Sequence, residues 1–249
     1  MIHYKTDEEI AIMREGGTKL QQVFAKIEKE LKPGLTTREV DELAEKTILS
    51  LGGTPSFKKV SNYKDSICIS INDQVVHTPP SAQIIQVGDV VTVDIGMFYK
   101  GFNTDKAETY IIGTVEPEVE TFLHVGKIAL QKAIEQAIVG NYIGDISSTI
   151  QKIVEGGGYQ IVRELTGHGV GRILHEQPAI PGFLKGKRKK TVPIKPGMTI
   201  AIEVIYAQST GEIDYENGQE WSLVTRDGSL AACFEHTIAV LQRSTLILA

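Results

Sequence analysis

Cysteine is scarce in this chain: only Cys68 and Cys233 occur. Two cysteines cannot build a disulfide framework, and their spacing fits neither a CxxC redox pair nor a Cys-rich zinc site, so a reducing compartment is expected. Basic charge is also in deficit, with 26 Lys and Arg against 31 Asp and Glu and a formal net charge of -5. A general nucleic-acid binder neutralises phosphates with an excess of Lys and Arg, so no DNA partner is expected. The one local exception is the basic run Lys185 to Lys190. No stretch approaches the roughly 18 apolar residues of a membrane span, and the opening MIHYKTDEEI has no apolar core behind a basic flank. The expectation is a cytoplasmic protein without a membrane partner. No Pro/Gly/Ser-rich linker divides the chain, and 41% hydrophobic residues over 249 positions allow a substantial core. One domain spanning residues 1–249 follows as an expectation.

What is present is order that repeats. Thr6 with Glu9 forms a capping box, and Ile10, Met13, Gly17, Leu20, Phe24, Ile27 and Leu31 recur at helical spacing until Pro33-Gly34. A second helix is predicted from Thr36 with Glu39 to Gly52-Gly53, burying Val40, Leu43 and Leu51 or their neighbours. Strand-like alternation follows in Ser66 to Ile71 and in Val90 to Met97, with a turn near Lys100-Gly101. From about Glu118 the order returns, with helices through Leu123, Gly126, Leu130 and Ala137 and then through Ile146, Ile150 and Ile153. Landmark offsets are nearly constant: Gly17 to Gly126 is 109, Gly34 to Gly140 is 106, Gly52 to Gly157 is 105, and Gly88 to Gly197 is 109. Such a period is too long for a solenoid. It predicts an α+β fold of two halves, about 1–115 and 116–249, related by a pseudo-two-fold, whose strands meet in one curved antiparallel sheet backed by helices.

Acids interrupt the apolar strands at equivalent places. Asp94 lies six residues after Gly88 in VVTVDIG, and Glu203 lies six after Gly197 in TIAIEVIY. A carboxylate there is costly unless paired or bound to a cation. The turn near Lys100-Gly101 brings Asp105 opposite or nearly opposite Asp94 on the same face, and like-charge repulsion then demands a shared proton or a metal. Glu235 in CFEHTIAV is a further strand acid. His168 lies in LTGHGVGRILHEQP, where flanking glycines permit close approach. No P-loop Lys and Ser/Thr follow Gly171, so those glycines are no phosphate cradle. Four carboxylates and one imidazole suit a pair of hard or borderline divalent ions, not a structural zinc site.

In order and type, Asp94, Asp105, His168, Glu203 and Glu235 resemble the five metal ligands of the methionine aminopeptidase family, type I, whose fold is called pita-bread. The opening helices, CISINDQVVH, TGHGVGRILHEQP and WSLVTRDGSLAACFEHTIAV extend the likeness over nearly the whole chain. The resemblance implies one catalytic domain that removes the initiator methionine of nascent polypeptides when the second residue is small. It implies two divalent ions, drawn from Co, Mn, Fe or Zn, with Asp105 and Glu235 bridging, Asp94 on one site, and His168 with Glu203 on the other. It further implies that Glu203 moves the proton, His175 stabilises the oxyanion, and His77 orients the peptide. A methionine pocket lined by Phe57, Tyr63, Cys68 and Trp221 is expected, in a monomer of bare type I length.

The sequence departs from the family pattern at several positions. Thr78-Pro79-Pro80 stands where Gly-Ile-Pro is usual, Leu174 where Phe is usual, Lys59-Val60 in place of a Gly-Tyr stretch, and Val204 in place of Pro. These altered residues are expected to cluster on the methionine side, where Thr78 and Leu174 widen the tolerance for the first side chain. The basic run is read as a loop on the active-site side that docks to the ribosome. The competing readings are a metal-poor binding paralogue of the same fold and an Xaa-Pro dipeptidase or aminopeptidase.

Overall fold

A computed structural model describes all residues, Met1–Ala249. Four helices carry the outer layer: α1 (Asp7–Glu30), α2 (Thr37–Ser50), α3 (Pro117–Glu135) and α4 (Ile143–Gly156). Both predicted capping boxes are formed, the Glu9 and Glu39 carboxylates each accepting the N–H of the capping threonine. In α1 the apolar stripe Ile10, Met13, Leu20, Phe24 and Ile27 is buried as its spacing predicts. In α2 the buried apolar positions are Val40, Ala44 and Ile48, while Leu43 and Leu51 are only half-buried. In α4 it is Val154 that is buried, with Ile153 half-buried, because a four-residue step from Ile150 keeps the stripe on one face.

The strands of the first half are β1 (Thr54–Pro55), β2 (Cys68–Ile71), β3 (Gln74–Val76), β4 (Val90–Tyr99) and β5 (Phe102–Ile111). Those of the second are β6 (Gln160–Ile161), β7 (Thr166–Gly169), β8 (Glu176–Pro181), β9 (Thr199–Ala207), β10 (Ile213–Tyr215), β11 (Leu223–Thr225), β12 (Ala231–Val240) and β13 (Thr245–Ile247). The curved antiparallel surface backed by helices is present, but in three hydrogen-bonded pieces rather than one ladder: β1, β4, β2 and β5; β10, β11 and β3; and β13, β12, β9, β7 and β8 with β6.

Alternation along the strands assigns two faces. Val91, Val93 and Ile95 of β4 pack with Leu20, Ile27 and Ile48 beneath α1 and α2. Ile200, Ile202, Val204 and Tyr206 of β9 pack with Phe122, Ile146 and Ile150 beneath α3 and α4. Asp94 and Glu203 consequently project to the other, concave face. The tight turn at Lys100 (φ 46°) and Gly101 (φ 92°) fixes the β4–β5 register. Asp94 pairs with Ala107 and Asp105 with Gly96, so the two aspartates share a face on a diagonal, nearly rather than directly opposite. In β9 and β12, Glu203 stands directly opposite Glu235.

The repeat is visible in the backbone. Gly88 and Gly197, at φ 94° and 83°, each precede the strand that carries a site acid, and their N–H groups donate to Ile112 and Val240. Gly34 and Gly140 also match, at φ 94° and 100°. The partner of left-handed Gly52 is Gly158 rather than Gly157, since only Gly158 has positive φ, which makes that offset 158 - 52 = 106.

Candidate metal centre and adjoining pocket

Seven predicted residues converge on one cavity of about 130 Å³: Asp94 from β4, Asp105 from β5, His168 from β7, Glu203 from β9, Glu235 from β12, His77 just after β3 and His175 just before β8. Ligand atoms of Asp105, His168 and Glu235 all lie within 4.8 Å of one another. His168 Nε2 is 3.5 Å from Glu203 Oε1 and 3.9 Å from Asp105 Oδ2.

The orientation of His168 follows from its neighbour. Nδ1 is 2.8 Å from the Gly169 carbonyl oxygen, which can only accept, so the proton is on Nδ1. Nε2 then presents its lone pair to the carboxylates, as a metal-binding imidazole does. Asp94 Oδ1 and Glu235 Oε1 are buried without any hydrogen-bond partner. Native interiors rarely tolerate that, and here two such oxygens face the same space.

Electrostatics point the same way. Burial drives the Asp94, Glu203 and Glu235 carboxyls well above the ordinary carboxylate range, with neighbouring acids adding to it. Burial pushes Asp105 up to about 7. His168 and His77 are pulled down to about 4 by burial and then by His175, whose own value is lowered by burial. Without a cation, burial favours the protonated form of these acids and the neutral form of the imidazoles. An oxygen-rich donor set with unpaired lone pairs and no opposing side-chain cation on its face fits divalent metal ions.

Beside the acids lies an apolar recess. Phe57, Tyr63, Cys68 and Leu174 form a buried cluster, with half-buried Val60 and Trp221 against it. Tyr63 stands edge-on to Phe57 and Trp221, at centroid separations of 6.3 and 5.2 Å, and its hydroxyl donates to the Ile67 carbonyl. Asp41 of α2 helps set this wall by accepting the N–H groups of Ser66 and Ile67.

Two expectations change, for Thr78 and for the basic run. Thr78 does not line the recess: its hydroxyl bonds Ser70 and Ser222, because the chain turns at His77, where φ is 61°. Val204 points into the core under α3 and α4, away from the site. The basic run lies in the helical layer, not at the site, with Arg188 donating to Asp145 of α4 and Thr191 accepting the Gly144 N–H. Leu174 does line the recess.

The left-handed backbone of His77 is uncommon for a non-glycine residue, and strain of this kind gathers at functional sites. A support not anticipated from sequence is the buried Lys5–Glu176 ion pair at 2.5 Å. Glu176 also accepts the Ile173 N–H, so the pair holds the loop that presents Leu174 and His175. Its sequence signal was only a glutamate following His175.

Comparison with known proteins places the geometry in context. The model of metallopeptidase family M24 matches residues 11–242. The methionine aminopeptidase of Clostridium perfringens (strain 13 / Type A) is 37% identical over 249 residues, covering 100% of this chain and 98% of that protein. Methionine aminopeptidase 1 of Bacillus subtilis (strain 168) is 38% identical over 242 residues, covering 97% and 96%. The crystal structure of methionine aminopeptidase from Thermotoga maritima superimposes with a TM-score of 0.96 at 36% identity, covering 100% of this chain and 99% of that one. The prolidase from Pyrococcus furiosus, at TM-score 0.80 and 22% identity over 64% of its length, shares the fold alone.

The raised carboxyls generate a pH prediction for chelator-treated protein. Below about pH 6.5 the depressed histidines oppose the effect, since unfolded histidines bind the extra protons there. Above it only the carboxyls act: folded protein holds more protons than unfolded, so stability falls as pH rises through about 7 and beyond. The melting temperature of the metal-free protein should therefore drop between pH 6.5 and 8, while the increment on adding Co(II) grows. A flat or rising metal-free profile would contradict the protonated, buried cluster.

Proposed function

The chain belongs to metallopeptidase family M24, and we propose that it is a methionine aminopeptidase that removes the initiator methionine of nascent polypeptides when the second residue is small. The observation that carries this reading is the apolar recess opening onto a buried, metal-fitting carboxylate cluster. A free α-amine and scissile carbonyl can lie against the acids while the first side chain enters the recess.

Two divalent ions would be held by Asp94, Asp105, His168, Glu203 and Glu235, with Asp105 and Glu235 shared. When bound, such ions polarise the scissile carbonyl and make water a stronger acid near neutral pH. Glu203, beside His168, takes the proton of the attacking water and delivers it to the departing amine. His175, neutral at pH 7 and exposed at the rim, donates an N–H to the carbonyl oxygen as charge builds on it. His77 orients the peptide beyond the scissile bond. Phe57, Tyr63, Cys68, Leu174 and Trp221 exclude water and receive the methionine side chain. The enzyme works as a single catalytic domain and a monomer in the cytoplasm; no helix is long and apolar enough to cross a membrane.

Docking to the ribosome follows from charge. Lys185, Lys187, Lys189 and Lys190 are exposed, while Arg188 is tied to Asp145, so four ammonium groups project from the helical layer of a net-negative protein. Ribosomal RNA attracts such a loop over a Debye length, about 30 Å at 0.01 M salt.

Two outcomes test the reading. With Co(II)-loaded protein, Met-Ala-Ser should be cleaved on the order of 100-fold faster than Met-Lys-Ser, a margin that steric exclusion can supply. Comparable rates would refute the small-residue requirement. Replacing all five basic residues of the 185–190 loop with Ser should weaken ribosome co-sedimentation at low salt and leave tripeptide hydrolysis unchanged. Equal co-sedimentation would leave the loop a solvated surface.

A further inference from the structure

Strands β5 and β12 run side by side across the junction of the two halves, yet no backbone ladder joins them. Two threonines take its place. The Thr237 hydroxyl donates to the Asp105 carbonyl at 2.8 Å and accepts the Asp105 N–H at 2.8 Å. The Thr109 hydroxyl donates to the Cys233 carbonyl at 2.8 Å and accepts the Cys233 N–H at 3.2 Å. These bridges are symmetry mates: 237 - 109 and 233 - 105 are both 128. Both threonines are buried, and Thr109 is further held by Thr92, which donates to it at 2.8 Å.

The geometry bears on the metal centre. Strands in a ladder lie about 4.7–4.9 Å apart, and a hydroxyl inserted between their backbone groups holds them wider. Across this junction ligand oxygens of Asp105 and Glu235 lie within 4.8 Å of each other: Thr237 grips the peptide groups of Asp105, and Glu235 lies between Cys233, gripped by Thr109, and Thr237. We propose that Thr237 and Thr109 are positioning residues that set the span between Asp105 and Glu235, so that two cations fit where a direct β-ladder would bring the carboxylates too close. The hydroxyls also satisfy main-chain groups that the missing ladder would leave orphaned. This inference rests on the metal reading above.

The test uses Co(II) titration of chelator-treated protein, followed by visible absorption without substrate, with thermal melting as a check of folding. Thr237→Val keeps the shape and removes the hydroxyl; it is expected to weaken binding of at least one Co(II) by about 10- to 100-fold, the usual cost of losing a group that orients a metal ligand, and to alter the absorption band. Thr237→Ser should restore both affinity and band. If Thr237→Val does not fold, Thr109→Val interrupts the symmetric bridge while leaving the grip on Asp105, and a loss of roughly tenfold is expected there. Wild-type affinity and spectrum in the valine variants would overturn the role of the junction, as would a serine variant as weak as the valine one. Wild-type protein that takes up fewer than two Co(II) ions would instead overturn the metal reading itself.

Discussion

Four carboxylates share one buried space with no side-chain cation on the same face, and the rest of the molecule is arranged around that electrostatic debt. An unpaired buried ion costs several kcal/mol even after relaxation, and mutual repulsion adds to it. Protons can discharge the debt, as the raised carboxyls indicate, or divalent ions can. The second route turns a destabilising cluster into a binding site, because folding has already placed the ligands and deprotonated oxygen is what a hard cation prefers.

Placing the cluster requires both halves. Asp94 and Asp105 come from one hairpin, and Glu203 and Glu235 come from one antiparallel pair in the other half. Each pair rests on its own hydrophobic core, under α1 and α2 or under α3 and α4. The duplicated architecture thus supplies two rigid carboxylate pairs, and the junction of β5 and β12 sets how they face each other. The imidazole is oriented by a backbone carbonyl, and the loop bearing Leu174 and His175 is latched by the buried Lys5–Glu176 pair.

Local features were legible in the sequence where they depend on near neighbours. The capping boxes of α1 and α2 need three residues, the Lys100-Gly101 turn needs two, and the hairpin then places Asp94 and Asp105 on one face whatever the tertiary fold. The strand acids stood out because carboxylates among β-branched residues are costly. What was not legible depends on partners far along the chain. Thr237 reaches a residue 132 positions away, Lys5 one 171 away, and Thr78 one 144 away. A threonine in a strand looks the same whether its hydroxyl faces solvent, a pocket or a backbone gap. Thr78 stands outside the recess for that reason, whereas Leu174 lines it on the loop latched by Lys5 and Glu176. The basic run lies in the helical layer rather than on the active-site side because Arg188 pairs with Asp145 of α4, a contact that leaves no mark in the sequence.

The central proposal is that Asp105 and Glu235 are shared by two ions. Crystals grown with Co(II) and measured at the cobalt absorption edge test it directly. The account predicts two anomalous peaks in the cavity, both within coordination distance of Asp105 and Glu235, one also bound by Asp94 and the other by His168 Nε2 and Glu203. A single peak held by fewer than these ligands, or peaks that leave Asp105 or Glu235 uncoordinated, would contradict it.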